Sequence, residues 1–362
     1  MNFYDFKEDW DNVKKRWEAW WDFDMRDRPL ICVAAPKQNP CLSPELENFK
    51  YEETNLERKW TDAGYLTDRM SYIAHNTYYG GESVPVFQHG WSVGHALPFG
   101  CEPVFAQNTV WIETVPVRDG EKYPDIYFDE NNRWWKLILE NTHKIALAGK
   151  QQYFVMPMWG NHAGDNLSLC RGTENLLCDL IENPLWVKEN VKYISDAMIK
   201  QFEELNKFTQ ATGLEGHVNY VDCWSPKKTC GFDTDFSYMI SPEHFKEIFL
   251  PPLIETMRTV EHRIYHLDGV MAMRNHLDTL LDVGEINAFQ WVPGDGQWEP
   301  MQWIPLLQKM QARKKSVFCY APFDAVVPII KELRPEGLCI STYAATEDDA
   351  RRLIENVERL YN

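Results

Sequence analysis

The sequence has no long apolar run, no excess of basic residues and no Cys-x-x-Cys motif. Because no run approaches the roughly 20 apolar residues that cross a bilayer, we expect no transmembrane helix and no membrane partner. The 37 Lys and Arg against 54 Asp and Glu give a net charge of −17, which disfavours nucleic acid as a partner. The acidic N-terminal residues include no signal-peptide core, so we expect a cytoplasmic protein.

The nine cysteines are odd in number and lie scattered, mostly inside apolar runs such as residues 30–33 and 317–319. Such cysteines are typical of reduced core positions in a reducing compartment. We therefore expect no disulfide framework.

Short apolar runs alternate with longer amphipathic segments along the 362 residues, which predicts an α/β protein with parallel strands. Barrels of this length occur as single domains, so we expect one (β/α)8 TIM-barrel domain over residues 1–362. The eight predicted strands are residues 30–35, 84–88, 153–158, 217–224, 263–268, 288–292, 316–320 and 337–342.

Several segments add detail to this barrel. Residues 1–28 are rich in Trp and predict an N-terminal helical extension. Residues 109–117 alternate in period two, which predicts a small hairpin insertion within residues 100–130, after strand two. Ser241-Pro242-Glu243 and Thr346-Glu347-Asp348-Asp349 are typical helix starts.

The strand at residues 263–268 supplies the strongest site candidates. His266 and Asp268 are two residues apart, so they share one face of the strand. Barrel enzymes react at the C-terminal ends of their strands, where these residues lie. A satisfied structural pair is the alternative. Asp222 ends strand four and is a third catalytic candidate, because a carboxylate among apolar neighbours has a raised pKa.

Other polar and aromatic residues at the strand ends predict a pocket for a small, partly apolar molecule. Packing against helices is the alternative role for each tryptophan. The predicted substrate-binding residues are His89, Trp91, His162, Trp224, Gln290, Trp291, Tyr320 and Thr342.

Three segments, YHLDG at 265–269, INAFQWVPG at 286–294 and DFSYMISP at 235–242, carry a family resemblance. They resemble the uroporphyrinogen decarboxylase superfamily, in particular a branch related to corrinoid methyltransferases. This resemblance implies a single α/β barrel. It also implies one of two chemistries, cofactor-free decarboxylation of a porphyrinogen or zinc-dependent methyl transfer between a corrinoid and an acceptor.

The departures from that superfamily bear on the reaction. Its zinc enzymes hold the metal with a His-x-Cys pair on strand five and a Cys near strand eight. Here the corresponding residues are His266, Asp268 and Cys339, and a carboxylate lacks the softness that favours zinc. Zinc therefore stays an alternative. Without zinc, Cys339 is expected to be a core cysteine. The acidic charge disfavours a porphyrinogen that bears eight carboxylates.

We therefore predict a methyltransferase-type enzyme that moves a methyl group between a small molecule and a corrinoid or thiol acceptor. The corrinoid would be a co-substrate on a partner protein. A metal-free lyase or hydrolase on a small organic or sugar-like substrate, using Asp222 and Asp268, is the alternative. A binding protein without catalysis is a third.

Overall fold

The structure is a computed structural model that describes residues 2–7, 9–25, 27–40, 53–91, 94–113, 125–157, 163–294, 296–297 and 299–361. The strands in chain order are β1 (Leu30–Pro36), β2 (Thr77–Gly81), β3 (Val86–Phe87), β4 (Glu102–Phe105), β5 (Val110–Glu113), β6 (Phe154–Val155), β7 (His217–Val218), β8 (Trp224–Ser225), β9 (Thr229–Phe232), β10 (His262–Asp268), β11 (Ala288–Val292), β12 (Ser316–Tyr320) and β13 (Leu338–Tyr343).

The helices alternate with the later strands, as predicted for an α/β protein. They are α1 (Phe3–Phe6), α2 (Trp10–Trp21), α3 (Leu56–Thr61), α4 (Ala63–Asn76), α5 (Arg133–Ala148), α6 (Ala163–Arg171), α7 (Thr173–Glu182), α8 (Pro184–Thr209), α9 (Pro242–His244), α10 (Leu250–Met257), α11 (Val270–Leu281), α12 (Ile304–Ala312), α13 (Val326–Glu332) and α14 (Glu347–Tyr361). A π-helical turn, Phe245–Phe249, joins α9 to α10. Among these described helices, none has both the length and the apolar character needed to cross a membrane.

A seven-stranded sheet forms the centre of the fold, in the order β2-β1-β13-β12-β11-β10-β9. Neighbours from β1 to β9 in this order run parallel, whereas β2 runs antiparallel to β1 at the edge. The parallel strands are buried on both faces, which accounts for their near-continuous apolar sequence.

The two faces of this sheet pack against different layers. In register across β10, β11, β12 and β13, neighbouring positions are His266, Gln290, Phe318 and Cys339. Phe318 and Cys339 belong to a core that includes tryptophans of α2, so the predicted N-terminal extension contains helices that cover this interior. Alternate residues of the same strands pack against the outer helices.

The fourth predicted strand, residues 217–224, is wrong as a single strand. Its two ends form the antiparallel pair β7 and β8, joined by a turn. The Asn219 side chain accepts hydrogen bonds from the N–H groups of Val221 and Cys223, and Asp222 has a φ of 59°, which an extended strand cannot contain. The strand that lies beside β10 is β9 instead.

The second and third predicted strands are shorter than expected. In the described residues β3 and β6 pair with each other in parallel over two residues each. The edge of β1 that a barrel would offer to strand two is taken by β2, which the sequence pattern did not predict. The hydrogen bonds of the described residues therefore show an α/β fold with a mostly parallel sheet, without the closed ring of a TIM barrel.

The smaller predicted features can also be compared. A hairpin of β4 and β5 follows β3, where the insertion was predicted; residues 114–117 of the predicted alternation lie outside the described part. The Ser241 side chain accepts a hydrogen bond from His244 N–H, as a cap of α9. Thr346 accepts one from Asp349 N–H at the start of α14.

Candidate functional site

Polar side chains meet where β9 and β10 end. Asp233 directly follows β9, and His266 and Asp268 lie on one face of β10. Because β9 and β10 are parallel neighbours, their carboxyl ends lie at one edge of the sheet. A cavity of about 860 Å³ lies beside this edge, and Asp235 and Asp268 are among its lining residues.

His266 is the centre of this group. Its Nδ1 lies 2.6 Å from Oε1 of Gln290, an acceptor, so Nδ1 donates the hydrogen bond. Its Nε2 lies 3.7 Å from the Asp268 carboxylate. Burial alone would lower the pKa of His266, but the interactions with Asp268, Asp233 and Asp235 outweigh burial and raise this pKa to about 9. His266 therefore carries a positive charge at neutral pH.

Three aspartates, Asp233, Asp235 and Asp165, lie close together near His266. Burial, followed by the charge of Asp235, raises the pKa of Asp233 well above its usual value. Burial and the charges of Asp235 and Asp233 raise the pKa of Asp165 in the same way. Asp165 accepts hydrogen bonds from the N–H groups of Asp235 and Phe236, at 3.1 and 2.7 Å, and so fixes the loop after β9. The raised pKa values favour the protonated forms of Asp165 and Asp233.

Tyr220 positions Gln290, the hydrogen-bond partner of His266. The Tyr220 hydroxyl donates to the same Gln290 oxygen, and its ring meets the His266 ring edge to face at 5.8 Å. The Tyr220 ring lies over Gly231 of β9, where a Cβ atom would come within 2.1 Å of the ring. A glycine is therefore required in this strand for the aromatic ring to reach the site.

The same group could in principle hold a cation. Among the described residues, ligand atoms of Asp233, Asp235 and His266 lie within 4.8 Å of one another. Two carboxylates with one imidazole suit a hard divalent ion better than the thiolate-rich zinc site of the predicted family. An ion would also have to displace the proton of His266, whose pKa is about 9. The donor set therefore fits a proton-transfer site better than a resident zinc.

Asp222 lies in a different environment from this cluster. It accepts a hydrogen bond from the Gln88 amide at 2.7 Å and lines a separate cavity of about 250 Å³. Burial raises the pKa of Asp222 to about 7, partly offset by the Gln88 hydrogen bond. The turn holds it at a positive φ, a strained conformation for a residue other than glycine. Asp222 and Asp268 line different cavities.

Three predicted pocket residues pack elsewhere. His89 is buried against α5, where Thr142 lies 3.0 Å from its Nε2, and burial lowers its pKa to about 4. Trp91 donates to the Trp60 carbonyl and belongs to the outer core. Trp224 packs in the core with α2. Trp91 and Trp224 thus have the packing role that the sequence offered as the alternative for each tryptophan.

Three other predicted pocket residues line a second, largely apolar cavity of about 610 Å³. They are Trp291, Tyr320 and Thr342. Thr342 donates to the Ala321 carbonyl, and about half of the Tyr320 side chain is exposed. The remaining one, His162, lies outside the described residues. Gln290 is thus the predicted pocket residue that contacts His266.

Cys339 does not lie with His266 and Asp268 as a third ligand. Its sulfur lies 3.9 Å from that of Cys32, fully buried in the interior core. Burial, together with the Cys32 contact, raises the pKa of the Cys339 thiol well above its usual value. The sequence-predicted set of metal ligands is therefore not brought together, because β11 and β12 separate Cys339 from His266.

Sequence reasoning missed Asp233 and Tyr220, and it did not assign Asp235 to the site. The signal for the two aspartates was present, since they follow the apolar residues of β9 with one residue between them. It was overlooked because strand four was assigned to residues 217–224. The role of Tyr220 depends on Gly231 and has no local signal.

Comparison with protein families finds no family model that matches this chain, and comparison with curated proteins finds no match.

Proposed function

We propose that this chain is an enzyme that transfers a methyl group from a small molecule to a corrinoid carried by a partner protein, or to a thiol acceptor. The proposal joins the resemblance to the uroporphyrinogen decarboxylase superfamily with the chemistry available at His266. It includes closure of the central sheet with β3 and β6 into one eight-stranded barrel, the architecture that this resemblance implies.

Removing a methyl group from oxygen or nitrogen requires a proton for the leaving atom. An electron pair of the acceptor forms the new bond to the methyl carbon, and the leaving atom keeps the electron pair of the broken bond. The corrinoid, when delivered as co-substrate, supplies the attacking electron pair. His266 donates its proton to the leaving atom, and Asp268 stabilises the positive charge of His266 beforehand. Asp268 lines the cavity and orients the substrate.

One observation carries the proposal: the His266 imidazole, whose pKa is raised to about 9, contacts Gln290 and lies 3.7 Å from Asp268, which lines a cavity of about 860 Å³. A pKa of about 9 keeps this acid loaded at neutral pH, while a free histidine would be mostly unprotonated. Cavities of roughly 300–1,000 Å³ are typical of small-molecule sites. No step of the proposed reaction uses zinc.

The test is methyl transfer without oxygen, with reduced cobalamin as acceptor and a panel of O-methyl and N-methyl compounds as donors. The demethylated product is measured by mass spectrometry. We expect His266→Gln to lower turnover by about 100- to 10,000-fold, the range for a lost general acid. His89→Gln is the matched control, because it makes the same change at a buried histidine outside the cluster.

Two results would contradict the proposal. In one, no donor of the panel loses its methyl group with the wild-type protein. In the other, His266→Gln and His89→Gln have equal turnover, which would remove His266 from the reaction.

A metal-free lyase or hydrolase is the second candidate, and a different observation favours it. Asp165 and Asp233 have raised pKa values, and carboxyl groups that stay protonated are candidate general acids. Such an enzyme would use these residues in place of the pair Asp222 and Asp268. It would convert its substrate without any acceptor, so omission of cobalamin distinguishes the two candidates.

A further inference from the structure

We propose that the apolar cavity of about 610 Å³ is a second small-molecule site, which binds a neutral, largely apolar molecule with one hydrogen-bonding group. The cavity lies between the C-terminal ends of β11, β12 and β13 and the helices α12 and α13. Trp291 and Cys319 come from the strands, and Leu307 and Ile329 come from the helices. This inference does not depend on the reaction proposed for His266.

The lining defines the charge of the ligand. The described residues that line this cavity include no Asp, Glu, Lys, Arg or His. The first cavity, in contrast, is lined by Asp235, Asp268 and Arg274. Moving an ionised group from water into an uncharged apolar site costs several kcal/mol or more without a partner. A charged ligand is therefore disfavoured in the second cavity and a neutral one is favoured.

One buried side chain provides a hydrogen-bonding group. Trp291 is only 4% exposed, and its indole N–H has no hydrogen-bond partner in the described part of the chain. Burying a donor without a partner is unfavourable, and a ligand with an acceptor atom would offset this cost. The ligand therefore combines an apolar body with one polar group.

Trp303 separates this site from the first cavity, which Asp235 and Asp268 line. Trp303 and Pro293 line both cavities. The Trp303 indole donates to the Gln297 carbonyl at 2.9 Å and packs on Trp291 with ring centroids 5.1 Å apart. These contacts hold the ring as a shared wall, so the two sites are adjacent and differ in polarity.

Isothermal titration with 2-naphthol, and with 2-naphthoate as its charged counterpart, tests the inference. The wild-type protein should bind 2-naphthol at least about tenfold more tightly than 2-naphthoate, because removing a carboxylate from water costs more than removing a neutral hydroxyl. Trp291→Phe should weaken 2-naphthol binding about fivefold by removing one hydrogen-bond donor. Ile329→Trp should abolish binding by filling the cavity, and Ile181→Trp, at an exposed position, is the matched control.

The Trp291→Phe result stands even where Ile329→Trp fails to fold, since phenylalanine keeps an aromatic ring at this position and removes only a donor that has no partner among the described residues. The inference is overturned by an absence of 2-naphthol binding up to about 1 mM. It is also overturned by equal affinity for 2-naphthol and 2-naphthoate, or by unchanged affinity in a folded Ile329→Trp protein.

Discussion

At the scale of single residues, His266 and Asp222 show how the neighbours of a partly buried group decide whether its charged or its neutral form is favoured. Both pKa values are raised, to about 9 and about 7. Around His266 the neighbouring carboxylates stabilise the charged form against burial, so the folded protein holds a cation. Around Asp222 burial dominates, with one amide as a partner, so the neutral form is favoured. The first group is a loaded acid, and the second is poised to exchange a proton near neutral pH.

Asp222→Asn should stabilise the protein at pH 8. In the unfolded chain this carboxyl ionises near 3.8, and in the folded protein near 7. The folded state therefore loses stability as pH rises between these values, and asparagine removes that loss. Asparagine also tolerates a positive φ and accepts the Gln88 hydrogen bond. After a discount for partial exposure, we expect a gain of about 1–3 kcal/mol at pH 8 and none at pH 3.5, measured by denaturant unfolding.

Asp125→Asn, at an exposed position, is the control for the chemical change. A loss of stability in Asp222→Asn at pH 8 would mean that the carboxylate itself holds the turn in place. That result would contradict the claim that the folded protein favours the neutral form of Asp222.

Residue identity predicted part of this site. His266, Asp268 and Gln290 could be read from strand periodicity, since alternate positions share a face. His89 and Trp91 could not be separated from them, because a polar or aromatic residue after a strand has the same local pattern whether it faces a cavity or a helix. That distinction depends on Thr142 and Trp60, which are distant in sequence.

At the scale of elements, the segment between β7 and β9 is the part that departs most from the predicted strands. A turn replaces the expected strand and places Tyr220 over Gly231, so that its hydroxyl reaches Gln290. The local sequence of residues 217–224 has strand character. Two features favour the turn instead. The Asn219 side chain accepts hydrogen bonds from the backbone of the turn, and Gly231 leaves room for the Tyr220 ring. Periodicity alone could not predict this outcome, whereas β10 to β13, which are buried on both faces, followed it closely.

Gly231→Ala should move Tyr220 away from Gln290. The new Cβ would lie 2.1 Å from the ring, so the ring or the strand must shift, at a cost of about 1–3 kcal/mol in unfolding free energy. Turnover should fall too, because Gln290 orients His266. Gly284→Ala is the matched control, since a Cβ atom added at Gly284 would meet no packing neighbour within 4 Å among the described residues.

The coupling is tested by adding Tyr220→Ala to Gly231→Ala. If the two residues act through one contact, the double variant loses less stability than the sum of the single variants. Additive losses would contradict the role assigned to Gly231.

At the scale of the whole molecule, the interior core and the polar cluster occupy different parts of the sheet. The helices α1 and α2 pack aromatic side chains into the interior core, and the charged cluster lies at the carboxyl edge of the strands. Trp17 is fully buried and donates to the Glu82 carbonyl. The sequence predicted this helical extension and its tryptophans. The sequence could not predict how the edges of the sheet are used. That depends on how β2, β3 and β6 pair, and their partners are distant in sequence.

Trp17→Ala should lower the unfolding free energy by about 3–5 kcal/mol, the cost of removing a large core aromatic. Trp111→Ala, at a side chain that is 60% exposed, should change it by about 0.5 kcal/mol or less. Equal losses, measured by chemical unfolding, would show that α2 does not stabilise the core.

The central claim is that the folded protein holds His266 as a cation at neutral pH, and a pH titration of its ring nitrogens tests it directly. The protein is labelled with ¹⁵N-histidine, and the His266 signals are identified by their loss in His266→Gln. We predict a midpoint at about pH 9, well above the usual 6.5 for histidine. A midpoint at or below 6.5 would show that His266 is neutral at pH 7, and the proposed proton donor would be lost.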